Sequence, residues 1–575
     1  MAGERLHGTD GIRGKIGSCG AGESPIGKLI FQREISAELF ALVGQATGSV
    51  LVEQVAGMAR PDFYSPLVVI GWDRRDGNRA LVSALEAGLL HAGCRVQRVG
   101  EVPTPGLHHC ILLLEADAGM MVTASHNPAT DSGVKLFDGE GYKSMPELED
   151  LISSKIWKLD GEAVAGDSDS ATRKGEGDVD AAPNLLEKEL EKIPPFDGLV
   201  AYRDHLARWL DTVCDLLEVA PEQWPQAVAE QGLLLDSSGG IATDWLSFGL
   251  TRRGLLCDEV SSRDNPINKD CGAGEFNPTD SWSNQELAGK QSHALLQALG
   301  DQIRNNDGNP PWNDGELVAA ALDGDGDRCL LIEATNGGVQ IVDGDQMAYD
   351  WMQARSTGQP QRLAHSIESD LCLPAACRTL GAESIQNAVG DRWLSNSLNP
   401  SDDGKSRLIF DDSMPLLFGC EDSGHLVMPT QHPLKPNHWS LAGDGAASLV
   451  SQLCARLALG PSRKTLERGW KGRVSVNGVD RSRWNGQNEL ASKVVEIVDQ
   501  NLSEANLKNV EIEGETSLLL LEGTLDGEAI SIGIRNSGTE AKTSVSMRSS
   551  SQNNVESLTE LMNQLGDFLS DKLIP

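Results

Sequence analysis

The sequence predicts an α/β protein of four domains, in which three similar α/β domains precede a C-terminal α+β domain. Length is the first reason, because the chain has 575 residues and one hydrophobic core stops growing at about 250–300 residues. The second is the alternation of buried strand patterns with amphipathic helical patterns, which is typical of parallel sheets. The third is a change to consecutive strand patterns near the C-terminus.

The first domain is predicted to cover residues 1–184. A buried strand in PLVVIGWD precedes a helical pattern in ALVSALEAGLLHAG and a second strand in CRVQRVG. The next apolar run, AGMMVT, ends in ASHNP, so this motif lies at a strand's carboxyl end, where open α/β sheets bind ligands. The polar stretch 160–183, rich in glycine and aspartate, indicates a linker or an exposed insertion before the next domain.

The second and third domains are predicted to cover residues 185–338 and 339–465. The second contains helical patterns in HLARWLDTVCDLLEV and ATDWLSFGLTRRG, and strand patterns in GLLLDSS and LVAAALDGDGDRCLLIEA. The third contains helices in QMAYDWMQA and CLPAACRTLG beside the strand-like HSIES. This recurrence suggests repeated domains, but the sequences are too dissimilar to establish a duplication.

The fourth domain, residues 466–575, belongs to another structural class. The runs ETSLLLLEGT, EAISIGIRNS and AKTSVSMRSS predict antiparallel strands. Helical patterns in ELASKVVEIVDQNL and VESLTELMNQLGDFL flank them. The domain is therefore predicted to be α+β.

The charge balance narrows the possible partners and location. With 49 Lys and Arg against 84 Asp and Glu, the net charge of −35 repels nucleic acids and anionic membranes. We find no run of about 20 apolar residues and no signal-peptide core, so no membrane association is expected. The eleven cysteines are scattered without a C-x-x-C pair, which indicates a reducing cytoplasm and no zinc or disulfide framework.

The sharpest motif of the first domain is Thr123-Ala124-Ser125-His126-Asn127-Pro128, with Lys135 ten residues after the serine. A serine exposed at a strand end is a candidate nucleophile, and a nearby lysine or histidine could take or return its proton. A turn or helix-capping serine is the alternative. No G-x-S-x-G pattern is present, so a hydrolase elbow is not supported.

A second motif, Asp323-Gly324-Asp325-Gly326-Asp327-Arg328, points to a metal. Three carboxylates spaced two residues apart can converge on one hard divalent cation and leave positions open for phosphate oxygens. An EF-hand is not supported, because Ala334 stands where its twelfth-position glutamate would be. The alternatives are a metal-free acidic turn and a calcium-binding module.

Three further loops carry candidate ligand groups. Arg535-Asn536-Ser537-Gly538-Thr539-Glu540 combines a guanidinium with hydroxyl and amide donors, which suits a terminal phosphate, although a hairpin turn is equally compatible. The loop from Glu421 to His425 suits sugar hydroxyls, and His425 is a candidate acid or base or else an ordinary loop histidine. The run from Gly8 to Gly14 includes Arg13, another candidate phosphate ligand.

In this order, the motifs resemble those of the α-D-phosphohexomutase family from Gly8 to Glu540. The resemblance implies a four-domain architecture around a central cleft and a Mg²⁺-dependent intramolecular phosphotransferase. Such an enzyme moves phosphate between O6 and O1 of a hexose through a phosphoserine and a 1,6-bisphosphate. The segments HGTDGIRG, 267–272 and 341–346 are similar to the branch that acts on glucosamine phosphates. Mannose or glucose phosphates, or a non-catalytic sugar-phosphate-binding homologue, are the alternatives.

The resemblance also implies the roles of individual residues. Ser125 would be phosphorylated, and Lys135 is preferred over His425 as the carrier of the hydroxyl proton. One Mg²⁺ would be held by Ser125, Asp323, Asp325 and Asp327. The implied catalytic residues are Ser125, His126, Lys135, Arg13 and His425. The implied substrate-binding residues are Arg328, Glu421, Ser423, Arg535, Asn536, Ser537, Gly538 and Thr539.

The remaining expectations concern small molecules and assembly. The substrate would be a hexose phosphate, and glucose or glucosamine 1,6-bisphosphate would act as activator or intermediate. The protein would be a cytoplasmic monomer or homodimer. Apparent insertions near residues 18–65, 160–183 and 296–315 have no function that the sequence indicates.

Overall fold

The computed structural model describes residues 5–8, 10–20, 22–56, 64–169, 196–400, 405–537 and 541–574. For residues 55, 56 and 162–169 the description covers the backbone only. The predicted boundary at residue 184 and residues 170–183 of the predicted linker lie outside these ranges. Residues 538–540 of the predicted phosphate loop lie outside them as well.

The first domain is built on a six-stranded mixed sheet. Its strands in spatial order are β4 (Arg95–Glu101), β3 (Leu67–Trp72), β5 (Ala118–Val122), β6 (Asp131–Asp138), β1 (Ile12–Ile16) and β2 (Glu34–Ile35). Its helices are α1 (Pro25–Gln32), α2 (Ala37–Ala56), α3 (Asn78–His91), α4 (Thr104–Leu113) and α5 (Pro146–Asp169). Val68 and Ile70 pack into one hydrophobic cluster and Val69 into another. Since successive strand residues point to opposite faces, the sheet is buried on both sides.

The second domain has a sheet of the same size. Its strands in spatial order are β8 (Cys257–Glu259), β7 (Leu233–Asp236), β10 (Leu317–Leu322), β11 (Cys329–Thr335), β12 (Gly338–Val342) and β9 (Ser281–Ser283). Its helices are α6 (Gly198–Leu217), α7 (Trp245–Arg252), α8 (Asn284–Ala288) and α9 (Ala294–Asn305). Thr335 pairs with Gly338 across the Asn-Gly turn 336–337, a sequence that favours tight hairpins. The predicted boundary at residue 338 therefore falls at the first residue of a strand that belongs to the second sheet.

The third domain repeats this arrangement. Its strands in spatial order are β14 (Ala382–Asn387), β13 (Gln361–Ser366), β16 (Leu417–Cys420), β17 (Leu426–Gln431), β18 (His438–Gly443) and β15 (Ile409–Phe410). Its helices are α10 (Gly344–Ala354), α11 (Cys372–Thr379), α12 (Asp391–Leu398) and α13 (Gly445–Leu459).

A common pairing pattern relates the three sheets. In each, three neighbouring parallel strands are followed by two antiparallel ones: β4, β3, β5, then β6 and β1 in the first sheet. The equivalents are β8, β7, β10, β11 and β12 in the second sheet, and β14, β13, β16, β17 and β18 in the third. The structure thus confirms three similar α/β domains, which the sequences alone were too divergent to establish.

The fourth domain has a five-stranded antiparallel sheet. Its strands in spatial order are β19 (Trp470–Asn477), β23 (Lys542–Ser549), β22 (Glu528–Asn536), β21 (Leu519–Leu525) and β20 (Asn506–Asn509). Helices α14 (Glu489–Asn501) and α15 (Val555–Leu573) supply apolar residues to the same core. This is the predicted α+β domain.

Helix α6 connects the α/β domains through buried contacts. Tyr202 donates a hydrogen bond from Oη to Asp444 Oδ1 at 3.0 Å, at the start of α13. Trp209 donates from Nε1 to the Pro429 carbonyl at 3.1 Å. In addition, one hydrophobic cluster spans the second and third domains. None of the described helices is both long enough and apolar enough to cross a membrane.

Candidate active site

Ser125 lies in the loop that follows β5, where its side chain meets the second domain. The residue is 2% exposed and has a φ of 53°, in the left-handed region. Its Oγ donates a hydrogen bond to Asp323 Oδ2 at 2.7 Å. The structure therefore joins the two strongest sequence motifs, which are 198 residues apart.

A buried set of polar groups on the first domain holds the Ser125 backbone. The Ser125 amide donates to Thr123 Oγ1 at 2.9 Å, and Thr123 donates in turn to Asp73 Oδ2 at 2.6 Å. Arg75, paired with Asp73 at 2.9 Å, donates to the Ser125 carbonyl at 2.6 Å. The motif reasoning missed Asp73 and Arg75, although both directly follow β3, the parallel neighbour of β5.

The second domain also binds the loop of Ser125, through the side chain of Asn268. Asn268 donates from Nδ2 to the carbonyls of Ser125 and Asn127, at 2.7 and 2.9 Å. These bonds attach the serine backbone to the second domain as well as to the first. The sequence reasoning used this region only for subfamily resemblance and assigned Asn268 no role.

The predicted metal ligands form a buried acidic cluster in the loop between β10 and β11. One ligand oxygen from each of Asp323, Asp325 and Asp327 lies within 4.8 Å of the others, and all three residues are at most 1% exposed. Burial, together with the charges of Asp327 and Asp325, raises the pKa of Asp323 to about 8.

The unused oxygens of this cluster favour a cation. Within the described part of the chain, Oδ1 of Asp325 and Oδ1 of Asp327 are buried without a hydrogen-bond partner, a costly state for carboxylate oxygens. A hard divalent cation would satisfy these oxygens and offset two of the three negative charges. The donor set therefore fits the predicted Mg²⁺.

Lys135, on β6, is a fixed positive charge beside this cluster. Its Nζ lies 2.9 Å from Asp325 Oδ2, 3.0 Å from Asp327 Oδ2 and 3.0 Å from Asp10 Oδ2. Burial opposes the charge, but the three carboxylates together raise the pKa of Lys135 well above its usual value. An ammonium held in this way is a poor proton acceptor, so the geometry disfavours the expected role of Lys135 as proton carrier.

The His425 side chain, from the third domain, reaches the loop between β10 and β11 that carries the three aspartates, which we call the metal loop. Its Nε2 lies 3.3 Å from Asp391 Oδ2 and 3.7 Å from Asp327 Oδ2. Burial alone would lower the pKa of His425, but these two carboxylates raise it. Lys143, which the motifs did not single out, pairs with Asp391 at 2.8 Å.

The loop that carries His425 is held against the metal loop by backbone contacts. His425 and Arg328 form an isolated β-bridge, and the Cys329 amide donates to the Gly424 carbonyl at 3.0 Å. Gly424 has a φ of 86°, and a Cβ at this position would lie 2.2 Å from the Cys329 carbonyl oxygen. Only glycine permits this approach.

His126 faces the cleft in a different electrostatic environment. The positive charge of Arg328, together with burial, lowers the pKa of His126 to about 3. The imidazole is therefore neutral at physiological pH. Its Nδ1 is buried without a hydrogen-bond partner among the described residues.

The predicted phosphate loop approaches from the fourth domain. Arg535, on β22, donates from Nη2 to Glu368 Oε1 at 3.0 Å. Asn536 instead donates to the carbonyls of Arg481 and Trp484, both at 3.0 Å. Its amide therefore supports the loop and does not face the ligand position that we expected. Gly538 and Thr539, predicted from the same motif, lie outside the described residues.

All four domains line one cleft with a cavity volume of about 320 Å³. Arg13 reaches it while donating to the Ala124 carbonyl at 3.3 Å and to Asp10 Oδ2 at 2.9 Å. The predicted site residues that line the cleft are Arg13, His126, Arg328, Glu421, Ser423, His425, Arg535 and Ser537. The fold therefore brings together motifs from every domain around one space of a size that suits a sugar phosphate.

Comparison with protein families supports this arrangement. Residues 4–162 match the model for phosphoglucomutase/phosphomannomutase, alpha/beta/alpha domain I. Residues 343–469 match the model for alpha/beta/alpha domain III of the same enzymes.

Individual relatives agree over most of the chain. A phosphoglucosamine mutase from Thermobifida fusca is 27% identical over 99% of this chain and 99% of its own length. One from Burkholderia thailandensis is 28% identical over 81% of this chain and 80% of its own.

Solved structures show the same fold. A phosphoglucomutase/phosphomannomutase family protein from Burkholderia thailandensis is 17% identical with a TM-score of 0.56, and 100% of this chain aligns with 98% of that one. A putative phosphomannomutase from Thermus thermophilus is 20% identical with a TM-score of 0.57, and 97% of this chain aligns with 98% of that one. With four domains, a shared cleft and these matches, the chain belongs to the α-D-phosphohexomutase family of intramolecular phosphotransferases.

Proposed function

We propose that the protein interconverts glucosamine 6-phosphate and glucosamine 1-phosphate through a phosphoserine at Ser125. The observation that carries the proposal is the placement of Ser125 Oγ at 2.7 Å from Asp323, within a buried acidic cluster at the edge of a cleft shared by four domains. The relatives named above as phosphoglucosamine mutases support the choice of sugar.

The reaction requires two phosphoryl transfers. In the first, the 1-hydroxyl oxygen of glucosamine 6-phosphate attacks the phosphorus of phosphoserine 125, the bond from phosphorus to Ser125 Oγ breaks, and the hydroxyl proton passes to a base. The product is glucosamine 1,6-bisphosphate. After this intermediate turns over in the cleft, Ser125 Oγ attacks the phosphorus on O6, and O6 leaves with a proton. Glucosamine 1-phosphate and the phosphoserine result.

The side chains of the cleft divide this work among them. Asp323, Asp325 and Asp327 would hold Mg²⁺, which when bound would neutralise charge that develops on the transferring phosphoryl group. Lys135 and Arg328 add fixed positive charge. His126 also faces the cleft, but a pKa of about 3 makes its imidazole too weak a base to hold the hydroxyl proton. The nearby carboxylates raise the pKa of His425 instead, so we assign the acceptance and return of that proton to His425.

The residues that line the cleft also influence which sugar can bind. Its lining includes the carboxylates of Asp391 and Glu421. A cleft with these carboxylates is compatible with the ammonium group of glucosamine as well as with neutral hydroxyls. Mannose and glucose phosphates remain the alternatives within the family. Glucose or glucosamine 1,6-bisphosphate would restore the phosphoserine in enzyme that has lost it.

Mass spectrometry of the purified protein tests the phosphoserine directly. A phosphate is expected on the peptide that contains Ser125, and it should be absent from Ser125→Ala. The matched control is Ser83→Ala, which changes an exposed serine of α3 and should keep both phosphate and turnover. Full turnover by Ser125→Ala with Mg²⁺ and trace glucose 1,6-bisphosphate would overturn the assignment.

Steady-state kinetics tests the sugar. We expect a higher kcat/KM for glucosamine 6-phosphate than for mannose 6-phosphate or glucose 6-phosphate at equal Mg²⁺. A marked preference for either of the other sugars would overturn the proposed substrate and leave the phosphoserine assignment standing. Absence of both phosphoserine and turnover would instead indicate a non-catalytic sugar-phosphate-binding protein.

A further inference from the structure

Two arginines of the fourth domain converge on a single carboxylate oxygen of the third. Arg535 Nη2 lies 3.0 Å and Arg473 Nη2 lies 3.3 Å from Glu368 Oε1. Glu368 follows β13, whereas Arg473 lies on β19 and Arg535 on β22. All three line the cleft.

Two guanidinium groups that converge on one position are typical of a binding site for an oxyanion such as phosphate. Guanidinium groups bind phosphate through planar, paired N–H donors, and two of them can face the two negative charges of a phosphate dianion. Arg535 also lies 3.6 Å from Glu515 Oε1 through Nη1, a longer contact than its 3.0 Å contact with Glu368. Burial opposes the ionised form of Glu368, but the charges of Arg535 and Arg473 lower its pKa to about 2. The carboxylate is therefore ionised throughout the physiological range and remains a ligand of both arginines.

We propose that Arg473 and Arg535 together form a phosphate clamp, and that Glu368 occupies the position of the phosphate until substrate displaces it. The inference rests on the proposed function only in taking a sugar phosphate as the ligand. Neither Arg473 nor Glu368 belongs to the motifs that predicted the site. Arg473 would bring a second guanidinium to the non-reacting phosphate. Glu368 would compete with that phosphate for both arginines.

Contacts next to the clamp link displacement of the Glu368 carboxylate to the attachment of the fourth domain to the third. Lys471, also on β19, donates to Asp422 Oδ2 at 2.7 Å and to the Glu368 carbonyl at 3.3 Å. Asp422 belongs to the loop of His425. Glu368 and Asp422 thus attach the fourth domain to the third at two adjacent points, and a phosphate that replaces the Glu368 carboxylate removes one of them.

Isothermal titration calorimetry with inorganic phosphate tests the clamp on the full chain. Glu368→Gln removes the competing charge and is expected to tighten phosphate binding by about three- to tenfold. Arg473→Gln should weaken binding, and the double variant should show a smaller gain, because Glu368→Gln then frees only the Arg535 guanidinium. Two matched controls are Asp422→Asn, which removes a cleft carboxylate bound to Lys471, and Glu383→Gln, which changes an exposed carboxylate paired with Arg362.

The outcomes separate the clamp from general electrostatics and from the proposed function. A gain with Glu368→Gln that exceeds the gain with Asp422→Asn supports the proposal, and equal gains or no gain overturn it. An undiminished gain in the double variant also overturns it. If Glu368→Gln does not fold, Glu368→Asp, whose carboxylate is one methylene shorter, should give a smaller gain of the same sign. Phosphate binding needs neither turnover nor a particular sugar, so failure of the proposed reaction leaves this measurement unaffected.

Discussion

The bonds that Arg75 makes predict the cost of removing it. Its side chain and that of Asp73 are completely buried and paired at 2.9 Å. It also donates to the carbonyls of Ser125, Asn127 and Asp131 at 2.6, 2.9 and 3.0 Å. A further bond goes to the Pro128 carbonyl at 2.5 Å. Arg75→Met fills a similar volume but leaves Asp73 as an unpaired buried charge and four carbonyls without this donor.

The expected loss follows from these contacts. Breaking a buried ion pair by removing one partner costs about 3–5 kcal/mol. Loss of the four hydrogen bonds to carbonyls would add to this. However, Asn268 still donates to the Ser125 and Asn127 carbonyls, and water that enters the site compensates the loss in part, so we expect a total within that range. Asp73→Asn in the Arg75→Met background removes the unpaired charge and should recover about 1–2 kcal/mol. Because Ser125 is then held less precisely, phosphoryl transfer should fall at least about tenfold.

Hydrogen exchange of the β3 and β5 amides measures the stability of this region without requiring the four domains to unfold together. The matched control is Arg79→Met, which removes an exposed arginine 3.6 Å from Glu101 and should change stability by less than about 0.5 kcal/mol. A loss below about 1 kcal/mol for Arg75→Met, or no recovery in the double variant, would refute the reasoning.

Two further predictions concern other parts of the chain. The His108 imidazole is buried against the Gly141 carbonyl at 2.7 Å, and burial lowers its pKa to about 4. Because the unfolded chain takes up this proton near pH 6.5, the free energy of unfolding should fall from about pH 6.5 to 4, and His108→Asn should flatten that slope in urea melts at several pH values. An unchanged slope would contradict this. Gly424→Ala should lower stability by about 1–3 kcal/mol and raise KM for the sugar phosphate, whereas Gly381→Ala, at a φ of 81° with open space around it, should leave KM unchanged. Equal KM values for the two variants would contradict the assigned role of the 424 loop.

Elements with strong local patterns were predictable from sequence. The strand before ASHNP, the strands around the aspartate cluster and the antiparallel strands of the fourth domain all appear in the structure. Their apolar periodicity is a property of neighbouring residues, so no knowledge of the fold was needed. The hairpin between β11 and β12 was missed, and the predicted boundary at residue 338 consequently falls at the start of a strand of the second sheet.

The first sheet shows a second limit of prediction from sequence, which concerns strand pairing. Its fifth strand, β1, comes from the beginning of the chain and pairs with β6, more than a hundred residues later. In the second and third sheets the equivalent strand directly follows its partner. Local patterns can predict strands, but a pairing between distant segments depends on which edge remains open after the intervening chain has folded.

The sequence by itself determined which chemical groups this protein offers: a serine, three aspartates and an arginine-containing loop, in an order typical of the phosphohexomutases. The tertiary structure decided how those groups are placed and what they contact. It buried Lys135 among three carboxylates and so made it a fixed charge, and it turned Asn536 toward backbone carbonyls. It also set Glu368 against Arg535 across 167 residues of chain. Charge and hydrogen bonding depend on distances of about 3 Å between groups, and only the folded chain sets those distances.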